Sequence, residues 1–148
     1  MTRESLIKLF ERDLDRVKEE ISAYKNEEDL WRLEGDILNT PANLCMHVAG
    51  NLQHFFGAVL SGSDYKRDRE FEFNGTGVTR QELLDDIDRA KKVVSFTLNA
   101  LNDDDLEKEF PLQPFGHPMT TGFFVIHLYS HVSWHLGHIN YHRRILKL

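Results

Sequence analysis

Five of the chain's eight histidines lie within one 16-residue segment near its C-terminus. At about 100° per residue, they fall within an arc of about 80° on a helix, so one helical face carries all five. Apolar residues flank this arc, whereas Ser130, Ser133, Gly137 and Asn140 lie on the opposite side. We therefore expect the imidazoles to point into a helical core. The five histidines are His127, His131, His135, His138 and His142.

Buried neutral imidazoles need partners for their ring nitrogens, and one divalent metal ion satisfies several of them at once. Two ligands on one helix require i, i+4 spacing, and several pairs in the segment have it, so spacing alone does not choose among them. A third ligand has to come from another helix, where His47 is the candidate, with Asn51 and His54 one and two turns further along the same side. The alternative is a packed or hydrogen-bonded face without an ion. The histidine pairs with i, i+4 spacing are His127 with His131, His131 with His135, and His138 with His142.

Carboxylates are absent from the C-terminal segment, since residues 121–148 contain neither Asp nor Glu. The chain also lacks the Glu-x-x-His pair of carboxylate-bridged di-iron bundles, which excludes that class of centre. The pattern instead predicts a mononuclear site with nitrogen ligands, suited best to Zn²⁺ or Ni²⁺, with Fe²⁺ and Cu²⁺ as further options. Three imidazoles leave a coordination position open, which is typical of catalytic rather than structural sites.

Four segments have the apolar periodicity and the end signals of long helices. The starts of the second and third are marked by Thr40-Pro41 and by the capping box that Thr79 opens. We predict an all-α four-helix bundle that forms a single domain over residues 1–148. The predicted helices span about residues 4–24, 41–60 and 80–101, and the last begins near residue 120 and reaches almost to residue 148.

The connections between these helices differ in length. Residues 61–78 and 102–119 are longer than up-and-down turns need, which predicts at least one long crossover connection. The proline-rich stretch 110–118 is expected to form a small extended flap. It contains His117, which the sequence does not place relative to the other histidines.

Composition limits the class of protein. The 148 residues are 41% hydrophobic and 28% charged, the balance of one ordinary globular domain. A formal net charge of −6 argues against a broad basic surface, so we expect no nucleic acid partner. Without an apolar signal region or a stretch long enough to span a membrane, we predict a cytoplasmic protein that makes no membrane contact. The single cysteine, Cys45, fits a reducing compartment and is expected to be a packed side chain.

Two motifs resemble the DinB/YfiT-like superfamily of metal-dependent helical bundle proteins. One is the sequence Asn-Leu-Cys-Met-His-Val-Ala-Gly-Asn-Leu at residues 43–52. The other, which is the more specific, is the His-x-x-x-His pattern of His131 and His135 with its continuation to Arg144. The resemblance covers nearly the whole chain and implies that the three metal ligands are His47, His131 and His135.

Members of such families with known activity use low-molecular-weight thiols: they transfer bacillithiol or glutathione, or isomerise with mycothiol. The resemblance therefore implies a metal-dependent thiol transferase whose partners are a thiol and a small-molecule electrophile. This chemistry fits a metal site, because a divalent ion lowers the pKa of a coordinated thiol. Residues 65–73 resemble an arginine-rich loop of one branch of the superfamily. In this loop Arg67 and Arg69 are candidates for binding an anionic thiol, with a solvated surface loop as the alternative.

The chain also departs from the superfamily pattern. Trp134 and His138 stand where many relatives carry histidine and glutamine, so the substrate can differ. His138 is the candidate for orienting the substrate or acting as an acid or base. The remaining helical histidines, His54, His127 and His142, are expected to be structural.

Two further expectations concern function class and assembly. A non-catalytic bundle that holds a metal ion or another ligand for stability or sensing is the alternative to the enzyme. Aromatic residues on several sides of the last helix, among them Tyr129, Trp134 and Tyr141, predict a homodimer.

Overall fold

The structure is a computed structural model that describes residues 2–148. Within these residues the chain forms helices joined by irregular connections, and its one β-bridge pairs Glu109 with Thr120. A 3₁₀ turn spans Glu27–Trp31, and a π-helical segment, Gln53–Leu60, directly continues the second helix. The predicted all-α fold class is thereby confirmed. In chain order the α-helices are α1 (Arg3–Ala23), α2 (Pro41–Leu52), α3 (Arg69–Asn74), α4 (Arg80–Ala100), α5 (Asp103–Glu107) and α6 (Thr121–Ile145).

The long helices begin where the sequence signals place them. The side chains of Thr40, Thr79 and Thr120 each accept a hydrogen bond from a backbone N–H of the first turn, which satisfies a donor that the helix leaves unpaired. The last helix ends at Ile145, close to the C-terminus as predicted. It cannot continue to the C-terminus because Lys147 has a φ of 56°, in the left-handed region.

The bundle is formed by α1, α2, α4 and α6. Helix α1 packs between α4 and α6, and α2 fills the position opposite α1, where it contacts the same two helices. The connections from α1 to α2 and from α4 to α6 therefore link helices that are diagonal in the bundle, as the predicted long crossover requires. The connection from α2 to α4 joins neighbours, and its length is used to form α3 against α2.

Helix α2 is the most enclosed element, since every one of its residues is buried. Its backbone is therefore held on all sides, by α3, α4 and α6 and by the 3₁₀ turn. This helix carries His47, which places that imidazole inside the protein rather than at its rim. None of the helices in residues 2–148 combines the length and apolar character needed to cross a membrane.

The side of α6 opposite the histidine arc faces α1 in part. Ser133 Oγ and Tyr129 OH donate hydrogen bonds to Asp13 Oδ2 at 2.8 and 2.9 Å. Asp13 is buried, and Arg12 Nε donates to its other oxygen at 2.8 Å. A helical wheel gives only the direction of each residue, so it cannot distinguish solvent from a buried carboxylate on a neighbouring helix.

Candidate metal centre

Three imidazoles from two helices converge in the bundle. The Nε2 atom of His131 lies 2.9 Å from His47 Nε2 and 3.1 Å from His135 Nε2. One nitrogen from each ring lies within 4.8 Å of the others, so these three residues could hold a metal ion. His131 and His135 are one turn apart on α6, and His47 faces them from α2. Spacing left three histidine pairs on the last helix open. The structure brings the pair His131 and His135 together with His47.

A buried carboxylate stands behind His47. Glu72 Oε1 lies 2.9 Å from His47 Nδ1, and both side chains are less than a tenth exposed. Arg67 donates two hydrogen bonds to the same carboxylate, from Nη2 at 2.7 Å and from Nε at 2.8 Å. Burial raises the pKa of Glu72, but the bonds from Arg67 and His47 outweigh it, so the net pKa is lowered. The carboxylate is therefore ionised at neutral pH.

This carboxylate fixes the tautomer of His47. An ionised carboxylate only accepts hydrogen bonds, so His47 Nδ1 has to carry the proton and donate it to Glu72. The contact of 3.3 Å between Arg67 Nη2 and His47 Nδ1 is then not a hydrogen bond, because both atoms are donors. Nε2 is left with its lone pair directed at His131 and His135, the arrangement in which carboxylates orient metal-binding histidines.

The two α6 histidines lack comparable partners. His131 Nδ1 and His135 Nδ1 are both buried, and neither has a hydrogen-bond partner in residues 2–148. Burial is the main cause that lowers the pKa of His131 to about 3, and the charges of His135, His47, His127 and Arg67 contribute to this lowering. Burial likewise lowers the pKa of His135 to about 4, with smaller contributions from His47 and His138. Both rings are therefore neutral at physiological pH.

The donor set fits a divalent metal ion. Two imidazole nitrogens bound to one tetrahedral ion at about 2.0–2.1 Å lie about 3.3 Å apart, which is close to the two Nε2 separations given above. A proton on His131 Nε2 can be donated to only one of its two neighbours at a time. A cation accepts the lone pairs of all three nitrogens, and the protons then reside on the Nδ1 atoms.

Helix α3 carries Glu72 and is hydrogen-bonded to α2. Asn43 Nδ2 donates to the carbonyl oxygens of Glu72 and Gly75 at 3.0 and 3.1 Å. The ring of Phe73 lies 4.5 Å from the ring of His47 and covers one side of it.

The Arg69 guanidinium lies 5.1 Å from the centre of the Phe73 ring and takes part in no salt bridge in the described residues. Of the two arginines predicted to bind a thiol, Arg67 is thus engaged by Glu72 and Arg69 is exposed beside the site.

His138 does not point inward, contrary to the wheel. It is exposed, and its ring lies 5.9 Å from that of His135 and 4.9 Å from that of Trp134. His135 and His138 both line a cavity of about 560 Å³ between α6 and residues 34–44. His138 is therefore placed beside the cluster and in contact with solvent, as an acid or base has to be.

The other histidines lie outside the cluster. His142 is buried, with Nδ1 2.8 Å from Tyr24 OH and Nε2 donating to the Arg32 carbonyl at 2.9 Å, so its role is structural. His127 is half-buried and packs on Phe115 and Phe124. His54 is half-buried, with a pKa lowered by burial and by the charge of Arg67. His117 is exposed and bonds only the adjacent Pro118 carbonyl.

Helix α2 also carries Asn51 and Cys45. Asn51 is buried, and its Oδ1 has no hydrogen-bond partner in the part of the chain that the structure describes. Cys45 is fully buried, as predicted, and burial raises the pKa of its thiol, which makes it unsuitable as a nucleophile.

Sequence reasoning missed Glu72. The residue lies in a loop of alternating charges, where a carboxylate is usually solvated. Two signals could have identified it. Asp68 is an N-cap residue, and its side chain accepts a hydrogen bond from Phe71 N, so α3 has a start signal. Gly50 lies inside an apolar helix one turn after His47, and a glycine in that position indicates the close approach of another group.

Comparison with known proteins agrees with this fold. The chain matches at residues 3–148 the model of a family described as a protein of unknown function, DUF1572. A conserved protein from Enterococcus faecalis has a similar structure, with a TM-score of 0.80, 14% sequence identity and coverage of 97% of this chain and 96% of that one. A DinB-like protein from Bacillus cereus ATCC 10987 matches with a TM-score of 0.76, 15% identity and coverage of 98% and 93%.

The match to a DinB-like structure agrees with the resemblance at the level of the fold. The comparison with curated proteins finds no match. At 14% and 15% identity, the two solved structures establish the fold alone. The chain has the DinB-like fold and belongs to the DUF1572 family of proteins of unknown function.

Proposed function

We propose that this protein is an enzyme that binds one divalent metal ion through His47, His131 and His135 and transfers a low-molecular-weight thiol to an electrophile. The observation that carries the proposal is the convergence of three imidazole nitrogens on one point beside a cavity. Zn²⁺ or Ni²⁺ suits three neutral nitrogen ligands best, and Fe²⁺ is a further option. A bound divalent ion would lower the pKa of a coordinated thiol and so supply a thiolate at neutral pH.

The protein's own residues have separate tasks in this proposal. Glu72 keeps the proton of His47 on Nδ1, so that Nε2 remains a ligand, and Arg67 holds the carboxylate in place. The neutral state of His131 and His135 keeps both rings available to a metal without the loss of a proton. Phe73 shields the His47 side of the site from water.

The thiol and the electrophile approach from different sides. Arg69, exposed beside Phe73, is the group that would bind the carboxylate of an anionic thiol such as bacillithiol or glutathione. His138, next to His135 at the cavity, would take up the thiol proton. With a chloromethyl electrophile, a sulfur–carbon bond forms, the carbon–chlorine bond breaks and chloride leaves with the bonding electrons.

Metal content is the first test. Protein purified without an affinity tag or added metal is analysed for elements as wild type, as His131→Ala and as Ser130→Ala. Ser130 is exposed on the same helix, so it is a better control than Ser133, which bonds Asp13. We expect about one metal ion per chain in wild type and in Ser130→Ala, and none in His131→Ala. Absence of metal from every form, even after reconstitution with Zn²⁺ or Ni²⁺, would refute the proposal.

Turnover is the second test. Loaded protein is incubated with monochlorobimane and each of several thiols, and the fluorescent adduct is followed. We expect His138→Ala to keep its metal and to lose about 100-fold in kcat, the usual contribution of a positioned acid or base. Retention of the metal without turnover, across all thiols and a wider panel of electrophiles, would indicate a non-catalytic metal-binding bundle instead.

A further inference from the structure

The cavity beside the histidine cluster has apolar walls. It lies between the chain segment that precedes α2 and the C-terminal half of α6, and its volume is about 560 Å³. Pockets for small molecules generally measure about 300–1,000 Å³ and are lined mostly by apolar groups. The side chains that give this cavity its apolar character are Ile37, Leu38, Leu44, Trp134, Tyr141 and Ile145.

The walls offer no free charge to a ligand. None of the described residues that line the cavity is Lys or Arg, and Glu34 is the one carboxylate among them. The carboxylate of Glu34 accepts two hydrogen bonds from the Arg32 guanidinium, at 2.9 and 3.1 Å. The ring nitrogens of His142 are already bonded to Tyr24 and to the Arg32 carbonyl. A charged ligand would therefore lose hydration without gaining an ion pair to a Lys, an Arg or an unpaired carboxylate of these walls, whereas an apolar ligand needs none.

The cavity and the histidine cluster share a residue. His135 belongs to the cluster through its Nε2 and also forms part of the cavity wall. His138 lines the same cavity and is exposed to solvent. A molecule bound there places one end next to the cluster, while the rest contacts Trp134 and the apolar side chains beyond it.

We propose that this cavity binds the electrophile, and that the electrophile is an uncharged, predominantly apolar molecule. The inference rests on the proposed function only in calling the bound molecule a substrate. The cavity walls favour the electrophile over the thiol. An anionic thiol carries a negative charge that can pair with Arg69, whereas no Lys or Arg among the described lining residues can pair with it in the cavity. The apolar part of the substrate gives affinity through burial, and His135 sets the position of its reactive end.

The predicted homodimer is the competing occupant of this surface. Leu38, Trp134, Tyr141 and Ile145 are all exposed, and a second copy of the chain could cover them. We favour a small molecule because the residues enclose a concave volume of ligand size that continues to the histidine cluster, which a flat partner surface would not fill. The test below includes the second copy as an outcome.

The experiment uses N-phenyl-1-naphthylamine, an uncharged apolar probe whose fluorescence rises when it leaves water. The probe is titrated into full-length protein in the presence of a chelator, and its fluorescence is measured directly. In a Trp31→Phe background Trp134 is the only tryptophan, so energy transfer from it reports binding at the cavity. Thermal unfolding verifies that each variant is folded.

Two substitutions of exposed apolar residues give a matched comparison. Leu38→Asp puts a charge into the cavity wall, at a side chain that is 87% exposed and therefore not needed for folding. Phe96→Asp changes a residue of α4 that is 70% exposed and lies outside the cavity. We expect saturable probe binding that Leu38→Asp weakens by about tenfold and Phe96→Asp leaves unchanged.

Equal affinity in the two variants, or no saturable binding in wild type, would overturn the inference. So would a dimer in light scattering that excludes the probe and that Leu38→Asp converts to a monomer. Because the probe is measured without metal, the two proposals can fail separately. Probe binding without any metal binding would support the apolar site and refute the proposed enzyme. Metal binding without probe binding would refute the apolar site and leave the proposed enzyme standing.

Discussion

The carboxylate of Glu72 lies against the α-carbon of Gly50. A Cβ atom built on residue 50 would overlap Glu72 Oε2 and lie 2.7 Å from its Cδ, closer than real side chains approach. The absence of a side chain at this one helical position thus lets α3 come close enough for Glu72 to reach His47, one turn earlier on α2. The geometry of the histidine cluster therefore depends on Gly50, although this residue has no side chain that could contact the three rings.

Gly50→Ala is therefore expected to weaken metal binding. The added methyl group displaces the buried carboxylate, so His47 loses its acceptor, and disturbing such a partner typically lowers metal affinity by about 10–100-fold. Overpacking also lowers the free energy of unfolding by about 1–3 kcal/mol. Zn²⁺ titration calorimetry and urea unfolding measure the two effects. The control is Gly137→Ala on α6, where a Cβ meets nothing within 4 Å. Equal effects of the two substitutions would contradict the role assigned to Gly50.

Glu72→Gln tests the charge of this carboxylate with almost no change in shape. An amide no longer requires the proton of His47 to stay on Nδ1, and it leaves the Arg67 guanidinium without its ion-pair partner. We expect metal affinity to fall by about 10–100-fold and the free energy of unfolding to fall by about 3–5 kcal/mol, as for other broken buried pairs. Glu70→Gln, an exposed change on the same helix, should alter neither quantity. Unchanged affinity in Glu72→Gln would show that the carboxylate does not support the cluster.

The metal-free protein should lose stability as the pH falls from about 6.5 to 5. His131 and His135 have pKa values lowered to about 3 and about 4 in the folded state, whereas their unfolded values are near 6.5. Over this interval the unfolded chain binds protons that the folded protein does not, so the free energy of unfolding decreases, while above pH 7 the two rings contribute nothing. Urea unfolding in a chelating buffer at several pH values measures the slope.

The slope can be assigned with two histidine variants. His131→Ala removes one contributing group and should flatten the pH dependence, whereas His117→Ala, at an exposed position, should leave it parallel to wild type. The buried carboxylates Asp13 and Glu72 and the half-buried Glu20 have lowered pKa values and lose their stabilising contribution only at more acidic pH. The interval above pH 5 therefore isolates the histidines. Identical slopes in His131→Ala and wild type would show that the folded rings are protonated normally.

Ser133→Ala should lower the free energy of unfolding by about 0.5–1.5 kcal/mol, because it removes a hydrogen bond to the buried carboxylate of Asp13. Ser130→Ala, three residues earlier and exposed, should stay within about 0.5 kcal/mol of wild type. Chemical unfolding of the two variants side by side makes the comparison. If neither substitution changed the free energy of unfolding, water would be replacing the hydrogen bond that Ser133 donates to Asp13.

The sequence predicted the bundle because its signals are local. Thr40, Thr79 and Thr120 mark helix starts through bonds within a single turn, and apolar periodicity requires no knowledge of neighbours. His47, His131 and His135 were singled out by the superfamily resemblance, since i, i+4 spacing fits other pairs equally well. The structure adds the distances that spacing could not supply.

The parts that escaped prediction depend on long-range contacts. Glu72 is 25 residues from His47 in sequence, and only the packing of α3 on α2 brings the two together. The exposure of His138 likewise depends on where the neighbouring chain leaves α6 uncovered. His54 lies in the π-helical segment, whose wider turns shift residues from the α-helical face on which a wheel places them.

The bonds from Tyr129 and Ser133 to Asp13 have a consequence for the opposite side of α6. These two residues are spaced like His131 and His135 and precede them by two positions each, so the helix presents one pair to α1 and the other to α2. Turning α6 about its axis would break both hydrogen bonds to a buried charge before the imidazoles could separate. The orientation of the ligands is thus fixed from behind, and the N-terminal helix, which contributes no ligand, determines how closely their nitrogens converge.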